Sequence, residues 1–574
     1  MKRIVFVVGM VLMGSTLLFA GGEQAGSAAS SGGLTVIKAW GLDKQYALDN
    51  RSIALSEWLS GSAPSRVFEK FTEEMAKIGV KIDYTLVMAD QIATAFQTML
   101  ASGQINNYDW IAPINVDIKT RYNLINQKAL YPLNQAIQQY STGAAKEFFF
   151  NDPSGRQIAK LNTLTDGNFY WLTQHSVGGP EGSPVTSLIR KDWLDKLGLP
   201  VPATLDEFYN TLAAFQEKDV NGNGVKDEVA NASLNGMSFV ASWFGLPAAW
   251  GRGADESIVY PLDGKAVSVW YEPQIKEYFM YMNKLFKAGL LNISDEGGSN
   301  VSNVAIENRC SAYISYMGDT WTEPTVVTPP GAPKAYYVPF VIQAKPGIDP
   351  RIYDEGGVMQ WLRSGMYSVP ARTKNIEKIV EMIDFFETPE YNHLNELGIE
   401  GYTYKWLPDM TSQRLPVNND NVGADQQLYW TGGLAGLWSG WQGIFPRVNK
   451  PDPAHTPTKE ARRAASRRNF VEAGQALGYP EGFVGKYEMW VKFEDKAWKA
   501  TALADGILAF PTVQESDRVN ELTPDLNTYA SELISALIMG EKSLDNWDSY
   551  IADLKRLGID EVIGIYQARL DRMK

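Results

Sequence analysis

Residues 219–228 read DVNGNGVKDE, with oxygen-bearing side chains recurring at every second position. Asp219, Asn221, Asn223 and Asp227 fall at positions 1, 3, 5 and 9 of a loop, and Gly224 stands at position 6, where such a loop turns sharply. Oxygens spaced in this way converge on one hard cation, and Val225 at position 7 adds its backbone carbonyl. The carboxylates of Asp219, Asp227 and Glu228 balance a 2+ charge, which points to calcium. An EF-hand would carry a bidentate glutamate at position 12, where this chain has Ala230. Glu228, two places earlier, is the nearby replacement, so the loop must close sooner. The competing reading is an Asn/Gly turn that caps its own backbone. With every ligand in one continuous segment, the expected ion is structural rather than catalytic. His175, His393 and His455 lie far apart in the chain and carry no zinc spacing.

Aromatic rings are the second chemical feature. Trp 17, Tyr 27 and Phe 23 make up 12% of 574 residues, more than packing alone demands. Such rings fill cores, and they also make flat platforms for ligands. With 53 basic and 66 acidic residues the net charge is −13, which argues against nucleic acid or an anionic membrane as the main partner.

The elements that must position these groups alternate between strand and helix. LTVIKAW (34–40) reads as a strand, and Pro64 opens a helix with Val67, Phe71, Met75 and Ile78 on one face, stopped by Gly79. Strand 81–88, helix 93–103 and strand 108–114 follow. This βαβαβ order predicts an α/β fold with a mostly parallel sheet, whose ligands sit at the carboxyl ends of strands. Trp40, Asp90, Gln91 and Trp110 are therefore placed near a cleft. Further on, Thr204 with Glu207 forms a capping box before a helix over 205–217, immediately ahead of the cation loop. Residues 310–316 and 335–342 read as strands, 273–288 and 375–386 as helices, and the last ninety residues as mostly helical.

Lys2 and Arg3, an apolar run from Ile4 to Phe19 and small residues from Ala20 predict a signal peptide over 1–20, followed by a flexible leader over 21–33. Gly21 stands where a lipoprotein would need cysteine, so a periplasmic or extracellular protein without a lipid anchor is expected. Cys310 is the single cysteine, which excludes an intramolecular disulfide; its apolar neighbours predict a buried strand thiol.

The block IRKDWLDKLGLPVPATLDEFYNTLAAFQEKDVNGNGVKDE (189–228) resembles the extracellular solute-binding proteins of carbohydrate ABC importers, above all the long members with a calcium loop, such as alginate-oligosaccharide-binding proteins. The resemblance continues in YMGDTW (316–321), LGIEGYTYKW (397–406) and the segment 538–567. It implies a two-lobed periplasmic-binding-protein fold, type II-like, with a helical C-terminal extension. Lobe 1 is assigned to 34–165 and 358–405, and lobe 2 to 166–357 and 406–574. It also implies an oligosaccharide held between closing lobes, delivery to ABC permease subunits, a monomeric state, and calcium on Asp219, Asn221, Asn223, the Val225 carbonyl, Asp227 and Glu228. The family's stacking aromatic corresponds to Trp321.

Sugars present apolar faces ringed by hydroxyls, so aromatic rings bury the faces while polar side chains bond the rim. Trp438 and Trp441, in the Gly-rich stretch 428–441, are candidates on this ground, with Trp430 behind them. Trp243 and Trp250 are weighed equally between cleft and core. Arg190 and Arg363 could meet an acidic sugar, but structural ion pairs are the commoner use of such arginines. The alternatives are a secreted glycoside hydrolase, which needs a carboxylate pair that no motif here singles out, and a sugar-sensing or adhesin domain without a transporter.

Overall fold

A computed structural model describes residues 33–43, 45–48, 51–62, 65–112, 116–176, 185–231, 239–246, 259–262, 264–293, 303–316, 323–353, 366–415, 444–446, 448–450, 452–495, 501–503 and 509–573. Two sheets organise them. The first runs in the order Val80–Val87, Thr35–Leu42, Trp110–Ile111, Tyr367–Ser368, Trp171–Leu172. Its first three strands are parallel, in register from Thr35 opposite Val80 to Leu42 opposite Val87, and Tyr367–Ser368 runs against both neighbours. Both faces of this sheet are covered, as a parallel sheet requires. Ile37 and Ala39 enter a core with Phe71, Trp110, Ile379 and Phe386, while Trp40 faces the other way into a smaller cluster with Phe96, Ile111 and Trp171.

The second sheet has the order Leu291–Asn292, Val229–Asn231, Cys310–Tyr316, Val185–Arg190, Arg351–Tyr353, Thr501–Leu503, with Tyr337–Phe340 also paired to Val185–Arg190. It is mixed: Val185–Arg190 is antiparallel to each of its three partners, and the remaining pairings are parallel. Trp193, Phe208, Trp243, Trp270 and Leu533 are among the residues of its core. Cys310 is buried in a separate cluster with Leu188, Tyr313 and Tyr337, and burial pushes its thiol up to about 12.

Local chemistry sets most boundaries. Ser65, not Pro64, caps the helix Arg66–Lys77, its side chain accepting from the Phe68 N–H. Thr204 accepts from Glu207 N–H at the start of Leu205–Glu217, whereas the Glu207 carboxylate reaches Ala203 N–H rather than its own cap residue. Among the described residues, the third strand of the first sheet covers Trp110–Ile111.

The chain returns to the first body late. Ile444, Phe445 and Val448 lie in its core, and Ile444 C=O accepts from Trp110 Nε1 at 2.6 Å, so the assignment of everything after 406 to the second lobe is corrected. Phe169 and Leu172 likewise belong to the first core rather than to a lobe beginning at 166. Val448–Asn449 pairs in parallel with His175–Ser176, joining the two segments on either side of that return.

The helical tail touches both bodies. The helix Val513–Met539 contains Pro524. Just before it, Phe510 packs edge-on against Trp171 at 5.3 Å and Pro511 C=O accepts from the Tyr122 hydroxyl, both on the first body. Leu526, Ala530, Leu533 and Leu537 of the same helix lie in the second core.

Candidate functional site

The cation loop follows Leu205–Glu217 directly. Asp219, Gly222 and Gly224 adopt positive φ of 45°, 76° and 83°, which coils the backbone tightly enough to gather successive side chains. Asn223 N–H donates to Asp219 Oδ1 (3.1 Å) and Asn221 Oδ1 (3.0 Å), Gly224 N–H to Asp219 Oδ2 (2.9 Å), and Val225 N–H to Asn223 Oδ1 (2.8 Å). At the closing end Asn221 N–H donates to Glu228 Oε1 at 3.1 Å.

The other oxygen, Glu228 Oε2, is buried and has no hydrogen-bond partner. Burial raises this carboxyl above its usual range, and the charges of Asp227 and Asp219 add to the rise. Arg309 approaches Asp227 only to 3.7 Å and pairs with Glu307 at 2.7 Å. A buried oxygen left unpaired among carboxylates is costly unless a cation completes it. The all-oxygen donor set of Asp219, Asn221, Asn223, Asp227 and Glu228 fits a hard divalent ion of the calcium type.

A charge-assisted network ties the loop to the second sheet. Arg190, at the end of Val185–Arg190, grips Asp192 through two bonds of 2.8 and 2.6 Å and donates to Asn308 Oδ1 at 2.7 Å. Asn308 C=O accepts in turn from Asn221 Nδ2 at 3.2 Å. Arg190 is buried over the Trp193 ring, so it serves this network and not an acidic sugar.

At the carboxyl ends of Thr35–Leu42 and Val80–Val87, Trp40, Asp90 and Gln91 come together in a pocket of about 540 Å³, with Thr94, Gln104 and Tyr108 on its wall. Asp90 and Gln91 are exposed, whereas Trp40 lines the pocket while 4% exposed. Trp110, expected beside them, is a correction: it is fully buried, stacked on Tyr367 and bonded to Ile444, because its position in the strand aims it at the opposite core. Trp243 is likewise core, with Nε1 donating to Ser187 Oγ at 3.1 Å. Trp321, Trp438 and Trp441, together with Trp430, Trp250, Arg363 and the signal and leader over 1–32, lie outside the described residues.

Two clusters escaped the sequence reading. Glu387 Oε2 meets Lys450 Nζ at 2.7 Å and His175 Nε2 at 3.3 Å, in the interior beside the paired strands. Burial alone would raise the Glu387 carboxyl, but the charges and hydrogen bonds of Lys450 and His175 hold it down at about 2. His393, Asp452 and His455 form a second group, with the His455 ring stacked on Trp406 at 3.6 Å. Only the spacing of Asp452 and His455, one turn apart, was visible in advance; their partners come from distant segments.

Among the described residues no helix is long and apolar enough to cross a membrane. Over 521 residues the chain is 24% identical to the fructooligosaccharide ABC transporter substrate-binding protein FusA of Streptococcus pneumoniae, covering 86% of this chain and 85% of that protein. Among solved structures, the HMO-binding ABC-transporter-associated solute-binding protein of Bifidobacterium longum infantis aligns with a TM-score of 0.63 at 17% identity, over 94% of this chain and 99% of that one. Alginate-binding protein AlgQ2, solved without calcium ion, aligns at 0.58 and 20%, over 93% and 97%. A FusA EF-hand mutant in complex with fructo-nystose aligns at 0.62 and 18%, over 94% and 99%. Residues 58–393 match the sequence pattern of the bacterial extracellular solute-binding proteins, and since that match spans more than half of the chain, this protein belongs to that family.

Proposed function

We propose that this protein is the oligosaccharide-capturing component of an ABC importer, exported by a signal peptide and acting as a monomer beside membrane permease subunits. The observation that carries the reading is the pocket of Trp40, Asp90 and Gln91 at the carboxyl ends of the first sheet, in a chain of this family. An aromatic side chain beside exposed hydrogen-bonding side chains suits the apolar face and hydroxyl rim of a sugar. Trp321 and Trp438 or Trp441 are the proposed stacking platform for the sugar. Sugar bridging both lobes favours the closed arrangement because only there does it touch both, so binding shifts the equilibrium toward closure. Calcium on the 219–228 loop braces the second lobe and takes no part in chemistry. The hydrolase alternative finds no support in the relatives, whose names describe transport and binding.

Thermal-shift screening against fructo-, pectic, alginate and milk oligosaccharides, with product analysis in parallel, tests this function. Saturable stabilisation without turnover is expected, and turnover would overthrow the binding reading. Trp321→Ala should cost about 2 kcal/mol or more of binding, and Asp90→Ala about 1 kcal/mol, with calcium response unchanged. Undiminished affinity in both variants would move the sugar elsewhere.

A further inference from the structure

We propose that His393, Asp452 and His455 form a second metal site, which takes a divalent transition-metal ion on two imidazole nitrogens and one carboxylate oxygen. The three ligand atoms lie within 4.8 Å of one another. Asp452 Oδ2 is 2.5 Å from His455 Nδ1 and 3.2 Å from His393 Nε2, so one oxygen faces two ring nitrogens. His393 Nε2 is buried and lacks an aligned hydrogen bond despite that proximity. Ligand atoms about 2.0–2.2 Å from a common tetrahedral ion lie roughly 3.5 Å apart, so the ion enters by displacing the proton of the 2.5 Å Asp452–His455 hydrogen bond, which opens that edge, while the remaining edge, within 4.8 Å, closes slightly.

The surroundings hold the ligands in place. His393 sits on the helix Pro389–Glu396, which is anchored in the first core through Tyr391 and Leu394. Asp452 Oδ1 accepts from Ala454 N–H at 2.9 Å, which orients the carboxylate and leaves Oδ2 to the imidazoles. Trp406 stacks on the His455 ring at an interplanar angle of 11° and meets His393 at 66°. Such outer partners fix ring orientation in metal sites. The side chains of His393, Asp452 and His455 are 19%, 9% and 28% exposed, leaving a solvent side for ion entry and for a water as fourth ligand. Two nitrogens and one oxygen suit Zn²⁺, Ni²⁺ or Cu²⁺, in contrast to the all-oxygen set at 219–228. A bound ion would clamp the segment just after Val448–Asn449 to the first body.

The test is Zn²⁺ titration of the untagged protein by calorimetry with calcium saturating, backed by Co²⁺ visible absorption. One equivalent of Zn²⁺ should bind beyond the calcium. His455→Ala and Asp452→Asn should weaken it by more than about a hundredfold, since loss of an outer partner alone costs 10–100-fold. The Co²⁺ bands should vanish in His393→Gln, and Asp219→Ala should leave Zn²⁺ binding intact. No Zn²⁺ uptake under calcium, undiminished affinity in His455→Ala, or loss in Asp219→Ala would each overturn the site.

Discussion

Glu228 and Glu387 are both buried carboxylates, 1% and 3% exposed, and their surroundings treat the charge in opposite ways. Glu387 is answered from within the chain by Lys450 and His175 and stays ionised far into acid. Glu228 meets two further carboxylates, and one of its oxygens is unpaired. Burial alone cannot explain the contrast, because both groups suffer it. The difference lies in what the fold supplies: Lys450 and His175 stand against Glu387, whereas the cation that would answer Glu228 has, on the proposed reading, to come from solution.

The largest expected effect comes from breaking the finished pair. Lys450→Met leaves Glu387 charged with only His175 beside it, and denaturant unfolding at neutral pH should show a loss of about 3–5 kcal/mol; a loss below about 1 kcal/mol would mean that His175 suffices. The same pair predicts an acid limb. The folded Glu387 value of about 2 lies below the ordinary 4.5, so its stabilisation is fully present above pH 4.5 and drains away as pH falls toward 2. Unfolding measured across that window should show the decline in the native protein and a reduced one in Lys450→Met.

Removing the solution cation comes next. Calcium at a hundredfold excess over its dissociation constant should contribute about 2.7 kcal/mol, visible as a drop in Tm on chelation; an unchanged Tm would close the gap between the two glutamates. The smallest effect sharpens the comparison most. Glu228→Gln should leave the chelated protein as stable as before, or up to about 1 kcal/mol more stable by removing an unanswered charge, while abolishing most of the calcium response. If it weakened the chelated protein instead, Glu228 would already be compensated.

What could be read in advance follows the same division. The cap at Thr204 and the strand Cys310–Tyr316 are determined by neighbours in sequence, and each was placed within a residue or two. Trp110 shows where that logic stops: a strand end can be located from periodicity, but the face a ring takes depends on Tyr367, Phe386 and Phe445, which arrive hundreds of residues later. The Glu387 and His393 clusters were illegible for the same reason: Glu387, the C-cap of Ile376–Phe386, and His393, on Pro389–Glu396, each meet the segment after Val448–Asn449. The late return of Ile444 to the first core had no local signal either.

The helix Val513–Met539 is in effect a beam about 40 Å long, preceded by Phe510 and Pro511 on Trp171 and Tyr122 of the first body and seated along its second half in the other core. Pro524 has no N–H to offer Asn520 C=O, so one rung of the beam is missing close to where it passes between its two seats. Bending stiffness is lowest where a rung is already gone. If the two bodies move relative to each other, the helix would flex most readily at Pro524, where that rung is absent.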